Sequence, residues 1–156
     1  MKYLLYISLF IFSFSSVANI PELKPFKTDY CTLFVDGTPN RPHLWRQCCF
    51  EHDLRYWFGG LASDQLKADK RLKQCVSKRA GATMANIMYY AIRAGHNSPV
   101  KHETHWGWGW DTNQRDFYQL LSNEEKLYIT QELYKLPIDS VLRDEFVEFY
   151  QLNELL

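Results

Sequence analysis

The stretch CCFEHDLRYW, residues 48–57, sets two adjacent cysteines one helical turn ahead of a histidine and an aspartate. On a helix, residues four apart share a face. Cys48 then sits with His52, and Cys49 with Asp53 and, more loosely, Tyr56 and Trp57. A second segment, SDQLKADKRLKQC (residues 63–75), carries Asp69 and Cys75. If the Gly59-Gly60-Leu61 turn folds the two helices antiparallel, His52 and Asp69 stand at one level, and Cys48 and Cys75 are offset by about two residues, or about 3 Å. A carboxylate facing a histidine holds the imidazole in one tautomer and stabilises its charged form, and Tyr56, one turn on, can donate its hydroxyl to the same Asp69. No Ser or Cys is left as an evident nucleophile, so the chemistry expected of His52 is general-base deprotonation of water. On the neighbouring face Asp53 points at the loop around Cys31. A carboxylate with loop carbonyls suits a hard cation such as Ca²⁺, which would polarise a carbonyl or phosphoryl oxygen.

These side chains need a scaffold, and the spacing predicts one that is mainly α: two antiparallel, disulfide-linked helices carrying the site, plus extra C-terminal helices. Trp45 to Phe58 contains no Gly or Pro and stops at Gly59-Gly60. A second helix is expected from Ser63 or Asp64 as cap, running to Gly95 with a kink at Gly81. Ser122 and Glu125 form a capping box for a helix ending near Pro137, and Ser140 to Leu155 reads as a last amphipathic helix. VDGTPNRP, residues 35–42, is a turn-rich loop. Adjacent helical cysteines point about 100° apart and are poor partners for each other. The helix faces then pair Cys48 with Cys75 and Cys49 with Cys31.

The chain opens with one Lys, an apolar run from Tyr3 to Phe14 and small residues at Ser16 to Ala18, the layout of a signal peptide over residues 1–18. An even cysteine count after such a leader implies disulfides and a secreted or periplasmic location. Residues 19–156 suffice for a single domain. Eighteen basic and eighteen acidic side chains balance, so no global field recruits nucleic acid.

Other features carry weaker expectations. Trp106-Gly107-Trp108-Gly109-Trp110 would align three indoles on one face if extended, as a bilayer-seeking patch, a substrate-channel wall or simply core. His102-Glu103-Thr104-His105 lacks the spacing that puts two histidines on one helix face for zinc. His43 and His96 read as surface residues. Met84, Ile87 and Met88, with Tyr89, Tyr90 and Ala91 beside them, read as core.

The run Cys48-Cys49-Phe-Glu-His52-Asp53-Leu-Arg-Tyr56 resembles the CCxxHDxxY helix of secreted phospholipase A2. Asp69 with Cys75 resembles the second active-site helix of that family, and Tyr30-Cys31 with Gly37-Thr38-Pro39 resembles the two ends of its calcium loop. The likeness covers residues 30–76; residues 77–156 have no counterpart in it and would form a C-terminal extension. It implies calcium-assisted hydrolysis of the sn-2 ester of glycerophospholipids in a membrane or micelle. His52, Asp69 and Tyr56 would be catalytic. Asp53 and the backbone carbonyls of Tyr30, Thr32 and Phe34 would bind Ca²⁺. Within the matched region this chain departs from the pattern in three places: TLFVD stands where the family loop is glycine-rich, two extra residues separate Pro39 from Cys48, and Arg55 replaces a cysteine. The rival expectation is a non-catalytic lipid-binding or envelope-interaction protein built on the same hairpin.

Overall fold

The computed structural model describes residues 21–96, 102–111 and 115–150; the signal peptide expected over residues 1–18 lies outside them. Among the described residues the architecture is mainly α, with four helices and no strand: α1 (Arg46–Phe58), α2 (Ala62–His96), α3 (Asn123–Lys135) and α4 (Ser140–Phe149). α1 starts where the turn-rich loop is tied to it: Trp45 donates its backbone N–H to Asp36 O at 3.0 Å and its indole N–H to Val35 O at 2.6 Å. Gly37 is required in that loop, because a Cβ there would lie 2.1 Å from the Arg41 carbonyl.

α2 is one helix only by name. Gly81 leaves helical geometry at φ 84° and ψ 167°, a region open to glycine, and the chain reverses there. Asp69 and Arg93, equidistant from Gly81, touch at 2.9 Å; on a straight helix they would stand about 36 Å apart at 1.5 Å per residue. Lys73 likewise lies over the ring of Tyr89, 5.0 Å from its centroid. Residues 62–80 and 82–96 are therefore two arms of a hairpin, with Leu72, Val76, Ala85 and Met88 packed between them and α1. Met88 is core as expected, but Ile87, Tyr90 and Ala91 are exposed. The cap also differs: α2 begins at Ala62, and Asp64 works from inside the first turn, its carboxylate accepting the Leu61 N–H at 3.1 Å.

The bridges are Cys31–Cys49 and Cys48–Cys75, joining the residues paired above. The second clamps α1 to the first arm of α2. Its partners lie 27 residues apart, a loop whose closure in the unfolded chain is worth roughly 3–4 kcal/mol. The double variant Cys48→Ala/Cys75→Ala is expected to lose about that much, measured as a lower urea midpoint; an unchanged midpoint would show that the seam holds without it.

The tryptophan segment is neither extended nor exposed. The segment turns beneath the end of α1, with all three tryptophans buried. A helix C-terminus leaves carbonyls unpaired, and this segment supplies the donors: Gly107 N to Tyr56 O at 2.7 Å, Gly109 N to Trp57 O at 3.0 Å, Trp110 Nε1 to Phe58 O at 2.6 Å and Trp106 Nε1 to Gly60 O at 3.0 Å. The three indoles are core, and the bilayer-patch reading falls for them.

α3 opens with the expected capping box: Ser122 Oγ accepts from Glu125 N, and Glu125 accepts from Ser122 N. α4 starts one residue after its cap, Asp139, and docks on α1 through Phe146 and Tyr150, both edge-on to Phe58. Arg55 ties α1 to α4. Its buried guanidinium lies 4.4 Å from the Phe146 ring centroid and 3.6 Å from Glu145, so a cation joins α1 to α4. Burial lowers its pKa to about 10, which leaves it charged at neutral pH.

Candidate functional site

His52 and Asp69 meet across the α1–α2 seam, Nε2 to Oδ1 at 2.9 Å, and the Tyr56 hydroxyl donates to the same Oδ1 at 2.7 Å. Asp69 is fully buried. Burial pushes its carboxyl upward, but hydrogen bonds from His52, Tyr56 and Arg93 outweigh this and hold it below the ordinary carboxylate value. An ionised acceptor at Nε2 assigns the imidazole proton to that nitrogen, leaving Nδ1 as the basic one. His52 and Tyr56 line a cavity of about 690 Å³, walled by Leu72, Met88, Ile92 and Trp106. That size and apolar lining suit a lipid-sized ligand.

Two further residues reach the dyad. Arg93 Nη1 donates to Asp69 Oδ2 at 2.9 Å and to His96 Nδ1 at 3.0 Å, and His96 Nε2 lies 2.5 Å from the Tyr56 hydroxyl oxygen. His96 is thus no surface residue: its side chain is 16% exposed and lines the cavity. A continuous helix from Ser63 to Gly95 would carry both side chains far from Asp69. The signal that finds them is Gly81, because folding there puts Arg93 opposite Asp69. His43, by contrast, is exposed as expected.

The loop residues Tyr30, Thr32 and Phe34 line the same cavity, as does Asp53. Thr28 donates its hydroxyl to Asp53 Oδ2 at 2.6 Å. Burial raises the Asp53 carboxyl to about 7; the Thr28 hydroxyl opposes this, and the nearby charges of Asp29 and Asp36 add to it. Asp36 is used within the loop, accepting from Cys31 N at 3.2 Å and facing Arg46 at 3.6 Å. In this loop Tyr30 and Leu33 take positive φ, 62° and 57°, a conformation that costs an L-residue roughly 1–2 kcal/mol.

The chemistry of this donor set fits a hard cation. It is all oxygen, with one carboxylate that no Lys or Arg neutralises among the described residues, and the Thr32 and Phe34 carbonyls accept no bond from those residues. The Tyr30 carbonyl is engaged, accepting from Thr32 N at 3.1 Å. Among the described residues no three His, Cys, Asp or Glu side chains gather as a metal cluster.

No family model, curated protein or solved structure matches the chain. The site therefore rests on its own geometry.

The raised Asp53 carboxyl has a measurable consequence. The unfolded value is near 3.9, so the folded state holds this proton more tightly. Stability from Asp53 is full below about pH 4 and is lost as pH rises through 7. Asp53→Asn is expected to leave stability unchanged at pH 4 and to raise it at pH 8 by on the order of a few kcal/mol. Urea titrations at the two pH values check this, and an equal change at both would contradict it.

Proposed function

We propose that the chain is a calcium-assisted carboxylic ester hydrolase of the phospholipase A2 type, acting on the sn-2 ester of glycerophospholipids. The observation that supports it best is the His52–Asp69 dyad with a basic Nδ1 on an apolar cavity that also holds an un-neutralised Asp53. In this reading His52 Nδ1 takes a proton from water as the oxygen attacks the ester carbon, and Asp69 stabilises the imidazolium through Nε2. The same Nδ1–H then protonates the departing glycerol oxygen, giving one fatty acid and one lysophospholipid and restoring neutral His52. Asp53 with the Tyr30, Thr32 and Phe34 carbonyls would hold Ca²⁺, which supplies Lewis-acid stabilisation of charge on the ester oxygen. Leu33, 94% exposed, and its neighbours Phe34 and Val35 present apolar surface beside that cavity, which suits contact with a membrane or micelle. The disulfides suit a secreted or periplasmic location.

The test is a lipid product assay on phospholipid vesicles with Ca²⁺ and with EDTA. Equal release of fatty acid and lysophospholipid, lost in EDTA, is the expected result; intact lipid under both conditions overturns it. One observation favours the non-catalytic lipid-binding alternative: Thr28 occupies Asp53 and Thr32 occupies the Tyr30 carbonyl. Calorimetric titration with Ca²⁺ separates the two, because that alternative predicts no heat of binding.

A further inference from the structure

We propose that Arg93 and His96 are positioning residues of the dyad: they clamp Asp69 and turn the Tyr56 hydroxyl proton onto it, so that His52 presents its bare Nδ1 to the cavity. The proposal rests on the hydrolase reading for its kinetic consequence but not for its structural one.

The proton assignment follows from which atoms can donate. Tyr56 Oη and Asp69 Oδ1 are 2.7 Å apart, and an ionised carboxylate cannot donate, so the hydroxyl proton lies between them. The 2.5 Å contact from His96 Nε2 to the same hydroxyl oxygen then needs its proton on Nε2. Arg93 has donors only, so His96 Nδ1, 3.0 Å from Arg93 Nη1, is the acceptor. These two bonds assign His96 a single proton, on Nε2; Asp69 Oδ2 lies 3.8 Å from Nδ1, too far for a hydrogen bond that would place a second proton there. The 3.4 Å approach of Gln65 Nε2 is longer than an ordinary N–H···O bond and sets no proton. Arg93 uses its charge on Asp69 Oδ2, the oxygen that His52 leaves open. One carboxylate thus has both oxygens fixed, Oδ1 by α1 and Oδ2 by the returning arm of α2, and the His52 ring cannot turn without breaking that set. Besides these groups, Asp53 of α1 and His102, Glu103 and His105 of the tryptophan segment share the cavity, yet no hydrogen bond joins them to Asp69.

The test has two arms. Imidazole ¹⁵N shifts of the wild-type chain at neutral pH should show His96 neutral with its proton on Nε2; a proton on Nδ1, or on both nitrogens, overturns the proposal. In the kinetic arm, on a monomeric short-chain phospholipid, Arg93→Gln and His96→Phe should each lower kcat about ten- to a hundredfold, as for loss of one charged hydrogen bond, with KM within about twofold. Arg93→Lys and His96→Gln, which keep a donor, should recover part of kcat. An unchanged kcat in Arg93→Gln overturns the proposal while leaving the hydrolase reading standing. A wild type without hydrolysis overturns the hydrolase reading, and the His96 shifts still decide the network.

Discussion

His52→Gln is expected to lower phospholipid ester hydrolysis by about three orders of magnitude while leaving the unfolding midpoint unchanged. Glutamine reaches nearly as far as imidazole, and its amide N–H can still donate to Asp69 across the 2.9 Å gap now bridged by Nε2. The buried carboxylate keeps its donors, so the penalty of an orphaned acceptor is avoided. What disappears is a side chain able to carry a proton near neutral pH. General-base catalysis by a positioned group contributes typically 10²–10⁴-fold, and here the base is also the acid for the leaving oxygen. Initial rates of fatty-acid release, read beside thermal unfolding of the same preparations, check both halves. A variant retaining more than a tenth of wild-type activity would exclude His52 as the base.

The dyad was legible because its geometry is local. α1 has no helix breaker between Trp45 and Phe58, the turn is a glycine pair, and counting from that turn brings His52 to Asp69 and Cys48 to Cys75. The same counting about Gly81 brings Arg93 to Asp69. It went unread because a lone glycine in a helical pattern signals a kink as readily as a reversal. Nothing in the composition distinguishes the two until the arms are seen to pack. The tryptophan segment failed for a different reason. Alternation of Trp and Gly has the period of a strand, but here the glycines serve close approach, and the indoles of Trp106 and Trp110 donate to the Gly60 and Phe58 carbonyls at the end of α1. Both depend on a partner element distant in the chain.

The two carboxylates of the site are pushed in opposite directions by their surroundings. Asp69 is buried among donors and held ionised; Asp53 is buried with one hydroxyl and two acidic neighbours and is raised to about 7. In the proposed reading this difference of environment separates their roles on one hairpin, an orienting acid held ionised and a carboxyl whose ionisation an arriving cation would favour.

The largest loss of stability is expected from Gly109→Ala. A Cβ at that position would lie 2.2 Å from Trp57 Cδ1, 2.4 Å from its Nε1 and 2.7 Å from its carbonyl oxygen. Trp57 cannot yield, since it is 1% exposed and tied on two sides. Its indole N–H donates to Lys24 O at 2.8 Å, and its carbonyl accepts Gly109 N at 3.0 Å. The tryptophan segment must move instead, and with it go the Gly109 bond, the Lys24 N to Gly109 O bond of 2.7 Å and the caps on the end of α1. Overpacking alone costs about 1–3 kcal/mol, and each lost bond about 1 more, so a loss of roughly 3–5 kcal/mol is expected. Gly95→Ala is the control, because a Cβ there meets nothing within 4 Å; its urea midpoint should not fall. Gly81→Ala falls between them: it has open space but φ 84° and ψ 167°, so only backbone strain of roughly 1–3 kcal/mol applies. A ranking in which Gly81→Ala exceeds Gly109→Ala would mean that the reversal of α2, rather than the seat of the tryptophan segment on α1, is where the fold is least tolerant. Because Trp106 and His105 belong to the cavity wall, displacement of that segment should also reach the site.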